Sequence, residues 1–437
     1  MKKLLFLFTL ILMSCSGKKA DTPPNIVFIL ADDLGYADLS SYGSSFINTP
    51  YLDQMAEEGV KLTSYYAAQP VCSASRAAIL TGSYPNRIGI HNAWGPKWKS
   101  GINYDELTLA EMLKNNGYKT GIFGKWHLGS VEKYFPTRQG FDEFYGILYS
   151  NDMWRFHPEY PDSYPEDLLL YQNETPIQEL IDQSDLTKDI TSESIDFIER
   201  NKNNPFFLYI AHPQPHVPLF VSKDFENITG NGLYADVITE IDYSVGRVLR
   251  SLEENGLTEN TIVVFWADHG TGYPRGKIHT YDDGLKIPLI IRFPEKFQHL
   301  APALPGTVID ELVLHMDLYA TTLHWAGLPI PDHVQSRNLC GSQRDDERAF
   351  VCSARDRLDN NPEMIRTIRT KKYRYIRNLL PHQPYASFYP DGGFFAPVPQ
   401  ESSSDCAFWE TSCLPSKEKV HDPELHEESN CDHGLHI

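Results

Sequence analysis

The chain has 437 residues and a formal net charge of −19, from 58 acidic and 39 basic side chains. This length can bury a large core and predicts one big domain with a smaller one. The acidic balance argues against a nucleic-acid-binding protein and against a basic membrane-surface protein, but a locally basic pocket could still hold an anionic substrate.

The first 24 residues are typical of an export signal followed by a tether. Met1-Lys2-Lys3 precedes an apolar run, Leu4–Met13, that is too short to span a membrane. Leu12-Met13-Ser14-Cys15 resembles a bacterial lipobox, which implies cleavage before a lipidated Cys15; an ordinary cleaved signal is the alternative. Residues 16–24 are polar and contain proline, as a tether does. We therefore expect an exported bacterial protein, periplasmic or at the cell surface, that touches a membrane only through a lipid anchor.

Apolar strands alternate with helices between residues 25 and 330. Strands are predicted at 25–30, 118–123, 205–211, 261–267 and 288–293, and helices at about 49–58, 107–116 and 233–252. This alternation is typical of an α/β fold with a large, mostly parallel sheet sandwiched by helices. Basic and apolar residues alternate over Met364–Asn378, which indicates exposed antiparallel strands. We expect a catalytic domain at 25–345 and, at 346–437, a smaller C-terminal antiparallel-sheet subdomain with an irregular tail.

Polar residues follow several of the predicted strands directly. They are Asp32, Asp33, Lys125, His127, His212, His216, Asp268 and His269. Each group alone also fits a helix cap or a surface pair. However, the carboxyl ends of parallel strands form the ligand-binding edge of such sheets. The repetition therefore predicts one convergent site, in which carboxylates could bind a hard cation. The loop-rich, aromatic stretch 130–190, which includes Trp154 and Phe156, is long enough to carry functional loops.

Cys72 lies just before an apolar run that predicts a helix. Ser73 is expected to cap this helix, which would place the Cys72 side chain at the positive helix end. Arg76 lies one turn further on and can point its guanidinium to the same place. A lone Cys-x-x-x-Arg is more often a buried cysteine at the start of a core helix.

The string Cys72-Ser73-Ala74-Ser75-Arg76, followed by Thr81-Gly82, resembles the signature of the type I sulfatases. Gly124-Lys125-Trp126-His127-Leu128-Gly129 matches a second motif of that family. The resemblance covers roughly residues 24–380. The front part is similar to arylsulfatase A and N-acetylgalactosamine-6-sulfatase, and the stretch from Asp268 to Arg357 is similar to heparan N-sulfatase. The resemblance implies an alkaline phosphatase-like fold.

The resemblance also implies a formylglycine-dependent sulfatase. A maturing enzyme, formylglycine-generating or anaerobic, would oxidise Cys72 to formylglycine, one hydroxyl of whose hydrate attacks sulfur while the second later expels sulfate. One Ca²⁺ would be held by Asp32, Asp33, Asp268, His269 and the modified Cys72, although the family usually has Asn where this chain has His269. The other catalytic residues implied are Arg76, which steadies the hydrate, Lys125 and Lys277 on the sulfate, His127 on the nucleophile and His216 towards the leaving group.

The substrate implied by the resemblance is a sulfated carbohydrate, such as a glycosaminoglycan fragment, with an O-sulfate or an N-sulfate. His279 and Asp282 are further candidates for substrate contacts. One alternative is a phosphatase or phosphodiesterase of the alkaline phosphatase superfamily, but these use Ser or Thr where this chain has Cys72. A second is a non-catalytic surface lipoprotein that binds glycans through a degenerate site. Every charged residue of the implied catalytic site is present in this chain, which argues against this alternative.

Overall fold

The computed structural model describes residues 22–158, 161, 164–272, 275–358 and 361–382. The predicted export signal, the lipid anchor at Cys15 and the tail after residue 382 lie outside these residues. Within the described ranges, none of the helices combines the length and apolar character needed to cross a membrane.

The core of the fold is an eleven-stranded mixed sheet whose central strands are parallel. The strands are β1 (Asn25–Ala31), β2 (Val60–Tyr66), β3 (Lys119–Lys125), β4 (Glu143–Ile147), β5 (Leu169–Gln172), β6 (Thr175–Glu179), β7 (Phe206–His212), β8 (Thr261–Ala267), β9 (Lys286–Arg292), β10 (Thr307–Ile309) and β11 (Val313–Leu314). Their order is β10-β2-β9-β8-β1-β7-β3-β4-β5-β6, with β11 also paired to β2. β1, β7 and β8 are buried along their whole length, which explains their unbroken apolar sequences.

The helices pack in two groups against this sheet. They are α1 (Pro50–Glu57), α2 (Cys72–Thr81), α3 (Leu109–Lys114), α4 (Leu186–Asn201), α5 (Leu233–Glu254), α6 (Asp282–Leu285) and α7 (Asp317–Trp325). α5 contacts α1 and α4, whereas α2 contacts α3 and α7. The α/β fold with a large, mostly parallel sheet is confirmed.

A separate three-stranded antiparallel sheet follows the large one. It consists of β12 (Val351–Leu358), β13 (Asn361–Arg369) and β14 (Arg374–Asn378). The antiparallel pairing predicted for Met364–Asn378 is therefore confirmed, and β12 adds a strand that the alternating pattern did not indicate. The predicted domain boundary between residues 345 and 346 stays a prediction.

Three local predictions need correction. Helix α2 begins at Cys72 itself, so Ser73 is not its cap; the Ser73 Oγ instead accepts a hydrogen bond from the Trp94 backbone N–H at 3.1 Å. Strand β3 continues to Lys125, because Gly124 and Lys125 still pair with β4. The stretch 130–190 contains strands β4 to β6 and the start of α4, in addition to its loops.

His315 joins α2 to the large sheet from a fully buried position. Its Nε2 lies 3.0 Å from the carbonyl oxygen of Ser75, and its Nδ1 accepts a hydrogen bond from the Ala68 N–H at 3.1 Å. Burial lowers the pKa of His315 from 6.5 to about 3, so the ring is neutral in the folded chain.

The substitution His315→Leu should lower the free energy of unfolding by at least about 1–3 kcal/mol, because two buried backbone groups lose their partner. The folded-state pKa is depressed, so the advantage of His315 is present above pH 6.5 and is lost as the pH falls towards 3. Urea unfolding at several pH values measures this difference. His333→Leu, at an exposed histidine, is the matched control and should leave stability unchanged. A deficit that stayed constant down to pH 4 would contradict the pH effect.

Candidate active site

Two acidic segments meet at the carboxyl ends of two adjacent parallel strands. β1 pairs with β8 in a register that sets Ala31 opposite Ala267, so Asp32 and Asp33 emerge beside Asp268 and His269. The Asp33 backbone N–H donates to Asp268 Oδ1 at 3.1 Å. The structure therefore brings together residues that are about 235 positions apart in the chain.

Cys72 lies against this acidic cluster in the first turn of α2. Its Sγ is 3.3 Å from His269 Nε2. Asp32, Cys72, Asp268 and His269 are all buried, and each offers one ligand atom within 4.8 Å of the others. Asp33 adjoins the group, with its Oδ1 3.4 Å from His269 Nε2. All five residues expected from the sequence to bind a cation are thus in one place.

The donor set fits a hard divalent cation. Three buried carboxylate oxygens, Asp32 Oδ1, Asp33 Oδ1 and Asp268 Oδ2, accept no well-aligned hydrogen bond from any residue in the described ranges, although each lies at ion-pair distance from Arg76 or His269. His269 Nδ1 lies 2.9 Å from the Gly270 carbonyl oxygen, which leaves Nε2 turned towards the carboxylates. Burial and the neighbouring Asp32 charge raise the pKa of Asp268 to about 8. Carboxylates this close repel each other, and a bound cation such as Ca²⁺ would remove that repulsion.

Arg76 supplies positive charge to the same cluster. Its Nη2 is 3.1 Å from Asp32 Oδ1, and its Nε is 3.5 Å from Asp268 Oδ2. Its Nη1 donates to the carbonyl oxygen of Lys125 at 2.7 Å, at the end of β3. One buried guanidinium therefore joins the ends of three strands, β1, β3 and β8.

Lysine and histidine side chains contact the carboxylates of the cluster. Lys125 contacts Asp32 and donates to Ser150 Oγ at 2.9 Å. Lys277 Nζ is 2.9 Å from Asp33 Oδ2 and 2.6 Å from His216 Nε2. Burial would raise the pKa of Cys72, but Lys125, Lys277 and His269 hold it well below the usual value. The site therefore favours negative charge at the position of the Cys72 side chain.

His127 is fixed as a neutral imidazole. Its Nε2 lies 2.7 Å from the Trp94 carbonyl oxygen, so Nε2 carries the proton and Nδ1 is left to interact with Cys72. Burial and the Lys125 charge lower the pKa of His127 to about 4. The ring can therefore accept a proton from a group at position 72.

The remaining candidates lie elsewhere or were not anticipated. The His212 Nε2 lies 3.1 Å from Ser244 Oγ on α5, and Asp282 pairs with Arg374 on β14. Ser150 was not anticipated, although it lies shortly after the end of β4. The rule that polar residues beyond strand ends gather at one edge could have identified it.

Residues 24–328 match the family model described as Sulfatase. The chain belongs to the sulfatase family. The resemblance stated from the signature around Cys72 is therefore confirmed.

This sulfatase is 37% identical over 354 residues to N-acetylgalactosamine-6-sulfatase of Canis lupus familiaris, a match that covers 74% of this chain and 66% of that protein. It is 35% identical over 352 residues to human arylsulfatase A, covering 74% and 68%. The chain thus spans slightly less than two thirds of the first relative's length. Among solved structures, Ps i-CgsB in complex with k-i-k-neocarrahexaose aligns with a TM-score of 0.70 and 28% identity, over 82% of this chain and 84% of the other. The similarity to heparan N-sulfatase stays a prediction.

Arg76→Gln should destabilise the chelator-treated sulfatase by about 3–5 kcal/mol, because two buried carboxylates lose their countercharge. Chemical unfolding in the presence of a chelator measures the loss. Arg138→Gln is the control: Arg138 pairs with Glu174 on the surface, and its replacement should have no measurable effect. Equal stability of the two variants would show that Arg76 does not balance the cluster.

Proposed function

We propose that this protein is a sulfuric ester hydrolase that releases sulfate from sulfated carbohydrates, through a formylglycine made from Cys72 and one Ca²⁺. The observation that carries the proposal is the arrangement around Cys72, where carboxylates and His269 meet Lys125, Lys277 and His216. A sulfate ester needs this combination, because a nucleophile must approach sulfur past three partly negative oxygens.

A cation and a modified Cys72 side chain would complete this site. Asp32, Asp33, Asp268 and His269 would hold the cation, which polarises a sulfate oxygen and lowers the pKa of a hydroxyl beside it. Oxidation of Cys72 to formylglycine by a maturing enzyme, followed by addition of water to the aldehyde, would supply that hydroxyl as the nucleophile.

The other side chains of the site would bind the sulfate and transfer protons. Lys125 and Lys277 would bind the sulfate oxygens, since their ammonium groups contact Asp32 and Asp33 in the cluster beside Cys72. His127 would take a proton from the nucleophile through Nδ1, because its Nε2–H is held by Trp94. His216 Nδ1 lies 2.5 Å from the Val217 carbonyl oxygen, so Nε2 faces the pocket. From there His216 would donate a proton to the departing oxygen.

His216 has the electrostatic surroundings of a proton donor. Burial and Lys277 oppose its positive charge, but the carboxylates of Asp33 and Asp152 outweigh them, and the pKa of His216 is raised above its usual value. The pKa values of His127 and His216 are therefore shifted in opposite directions. The lowered pKa suits His127 to the role of the base, and the raised pKa suits His216 to the role of the acid.

The substrate class rests on the names of related proteins. N-acetylgalactosamine-6-sulfatase and a structure in complex with neocarrahexaose both name a carbohydrate, and a further structural neighbour at 25% identity is described under the metabolism of multiple glycosaminoglycans. We propose the same class for the present chain: its substrate is a sulfated carbohydrate that carries an O-sulfate or an N-sulfate. The predicted export signal and lipobox support a location in the periplasm or on the cell surface, with an anchor at Cys15.

Cys72→Ala and Lys125→Ala should each abolish sulfate release, because the first removes the source of the nucleophile and the second removes a cation that faces the sulfate. Ion chromatography of free sulfate from a panel of sulfated mono- and disaccharides measures this after co-expression with a maturing enzyme. Cys352→Ala, at a half-buried cysteine on β12, is the control and should keep full activity. Mass spectrometry of the Cys72 peptide should show conversion of the thiol to the aldehyde. Turnover of phosphate esters with an intact thiol would instead support a phosphatase.

Addition of Ca²⁺ to the chelated protein should raise its melting temperature, by a stabilisation of about 3 kcal/mol at a hundredfold excess over Kd. Asp268→Asn should remove this response, because it deletes a carboxylate ligand. Asp242→Asn is the matched control: Asp242 is a buried carboxylate that accepts the Leu52 N–H at 2.8 Å, far from the cluster. Its variant should be less stable but should keep the full response to Ca²⁺. A response retained by Asp268→Asn would contradict the assigned ligands.

A further inference from the structure

A short segment beside the pocket contains three buried polar atoms without a hydrogen-bond partner. They are Asn151 Oδ1, Asp152 Oδ1 and Trp154 Nε1, which make no hydrogen bond with the residues that the structure describes. Buried polar atoms are normally paired, because leaving one unpaired is costly. The described residues supply no partners for three such atoms within four residues, so water or a bound ligand must provide them.

This segment is fixed to the loop that carries His216. Asn151 is fully buried, and its Nδ2 donates to the Pro218 carbonyl oxygen at 3.3 Å. The ring of Trp154 packs edge to face against Phe220, with centroids 5.9 Å apart. Asp152 is thus held on the side of the pocket where the leaving group departs in the proposed reaction.

Asp152 is an ionised acceptor in this position. Ser150, which accepts a hydrogen bond from Lys125 Nζ, is close enough to Asp152 to stabilise its charge. Burial opposes the Asp152 charge, but the positive charge of His216, the Ser150 hydroxyl and Lys277 keep its pKa below the usual value. In the proposed reaction this carboxylate raises the pKa of His216 but contacts no substrate atom.

An apolar surface lies next to this carboxylate. Phe156 is 41% exposed and packs against Trp154 with centroids 5.7 Å apart. Val217, next to His216, is 58% exposed. Binding sites commonly combine an aromatic surface with a few convergent polar groups. Here the polar groups are mostly acceptors, which suit the hydroxyls of a sugar ring, and the ring carbons would lie against Phe156.

We propose that residues 151–156 form the subsite for the leaving-group sugar, and that Asp152 accepts a hydrogen bond from the hydroxyl closest to the departing oxygen. This inference rests on the proposed function, since it assigns the alcohol part of the ester to a defined surface. Asp152 would then determine specificity, because a buried acceptor built for a hydroxyl rejects an analogue that lacks it.

The test compares hydroxylated and deoxygenated substrates in the matured, calcium-loaded enzyme. The probes are the monosulfates of N-acetylgalactosamine and N-acetylglucosamine, each beside an analogue that lacks the hydroxyl closest to the sulfate. For the wild type, loss of this hydroxyl should lower kcat/KM by about 10- to 100-fold. Asp152→Asn should reduce this discrimination, because an uncharged amide accepts a weaker hydrogen bond from the hydroxyl than a carboxylate does. The lower pKa of His216 in this variant should slow both substrates alike.

A control variant and three contrary outcomes complete the design. Asp182→Asn changes an exposed carboxylate whose partner is Ser184, and it should discriminate between the two substrates as the wild type does. If Asp152→Asn kept the wild-type discrimination, the subsite would be wrong. If it lowered kcat/KM equally for both substrates at an unchanged melting temperature, Asp152 would position Ser150 or His216 and would not bind the sugar. If the wild type released sulfate from none of the sugars, the proposed function itself would fail first.

Discussion

The site depends on the burial of two carboxylates side by side. β1 and β8 pair in register up to Ala31 and Ala267, so Asp32 and Asp268 cannot separate without breaking the centre of the sheet. Their repulsion must be balanced locally, and Arg76 provides part of the balance from α2. Cys72 and Arg76 are four residues apart and hence neighbours on one helix face. A single helical turn therefore brings both a countercharge and Cys72, the proposed precursor of the nucleophile, to the cluster.

The positive half of the pocket is assembled differently. Lys125 lies at the end of β3, whereas His216 and Lys277 come from separate loops, and they meet around one buried position. The chain as a whole carries a charge of −19, yet the groups that face Cys72 include several cations. Net charge thus describes the solvent-facing surface of this protein and says little about the pocket, where burial and short distances determine the field.

Sequence patterns were informative where the structure is periodic. The unbroken apolar runs gave β8 at its observed bounds and β1 to within one residue, and the common edge of parallel strands gathered the acidic residues. Contacts between distant segments left no local signal. Ser73 has the residue type of a helix cap, but its hydroxyl oxygen accepts a hydrogen bond from the backbone N–H of Trp94, 21 positions away. Asp152 belongs to no recognised motif, and its environment arises from packing between the loops after β4 and β7.

The small antiparallel sheet lies close to the reaction site without contributing a proposed catalytic side chain. Arg355 Nη1 donates to the Ile278 carbonyl oxygen at 2.5 Å, next to Lys277, and the Ala354 N–H donates to Ala68 at 3.0 Å, four residues before Cys72. These strands therefore buttress both segments that frame the pocket. The family match ends at residue 328, before the first of them. A chain cut at residue 328 would therefore keep the residues proposed for catalysis but lose both of these supporting contacts.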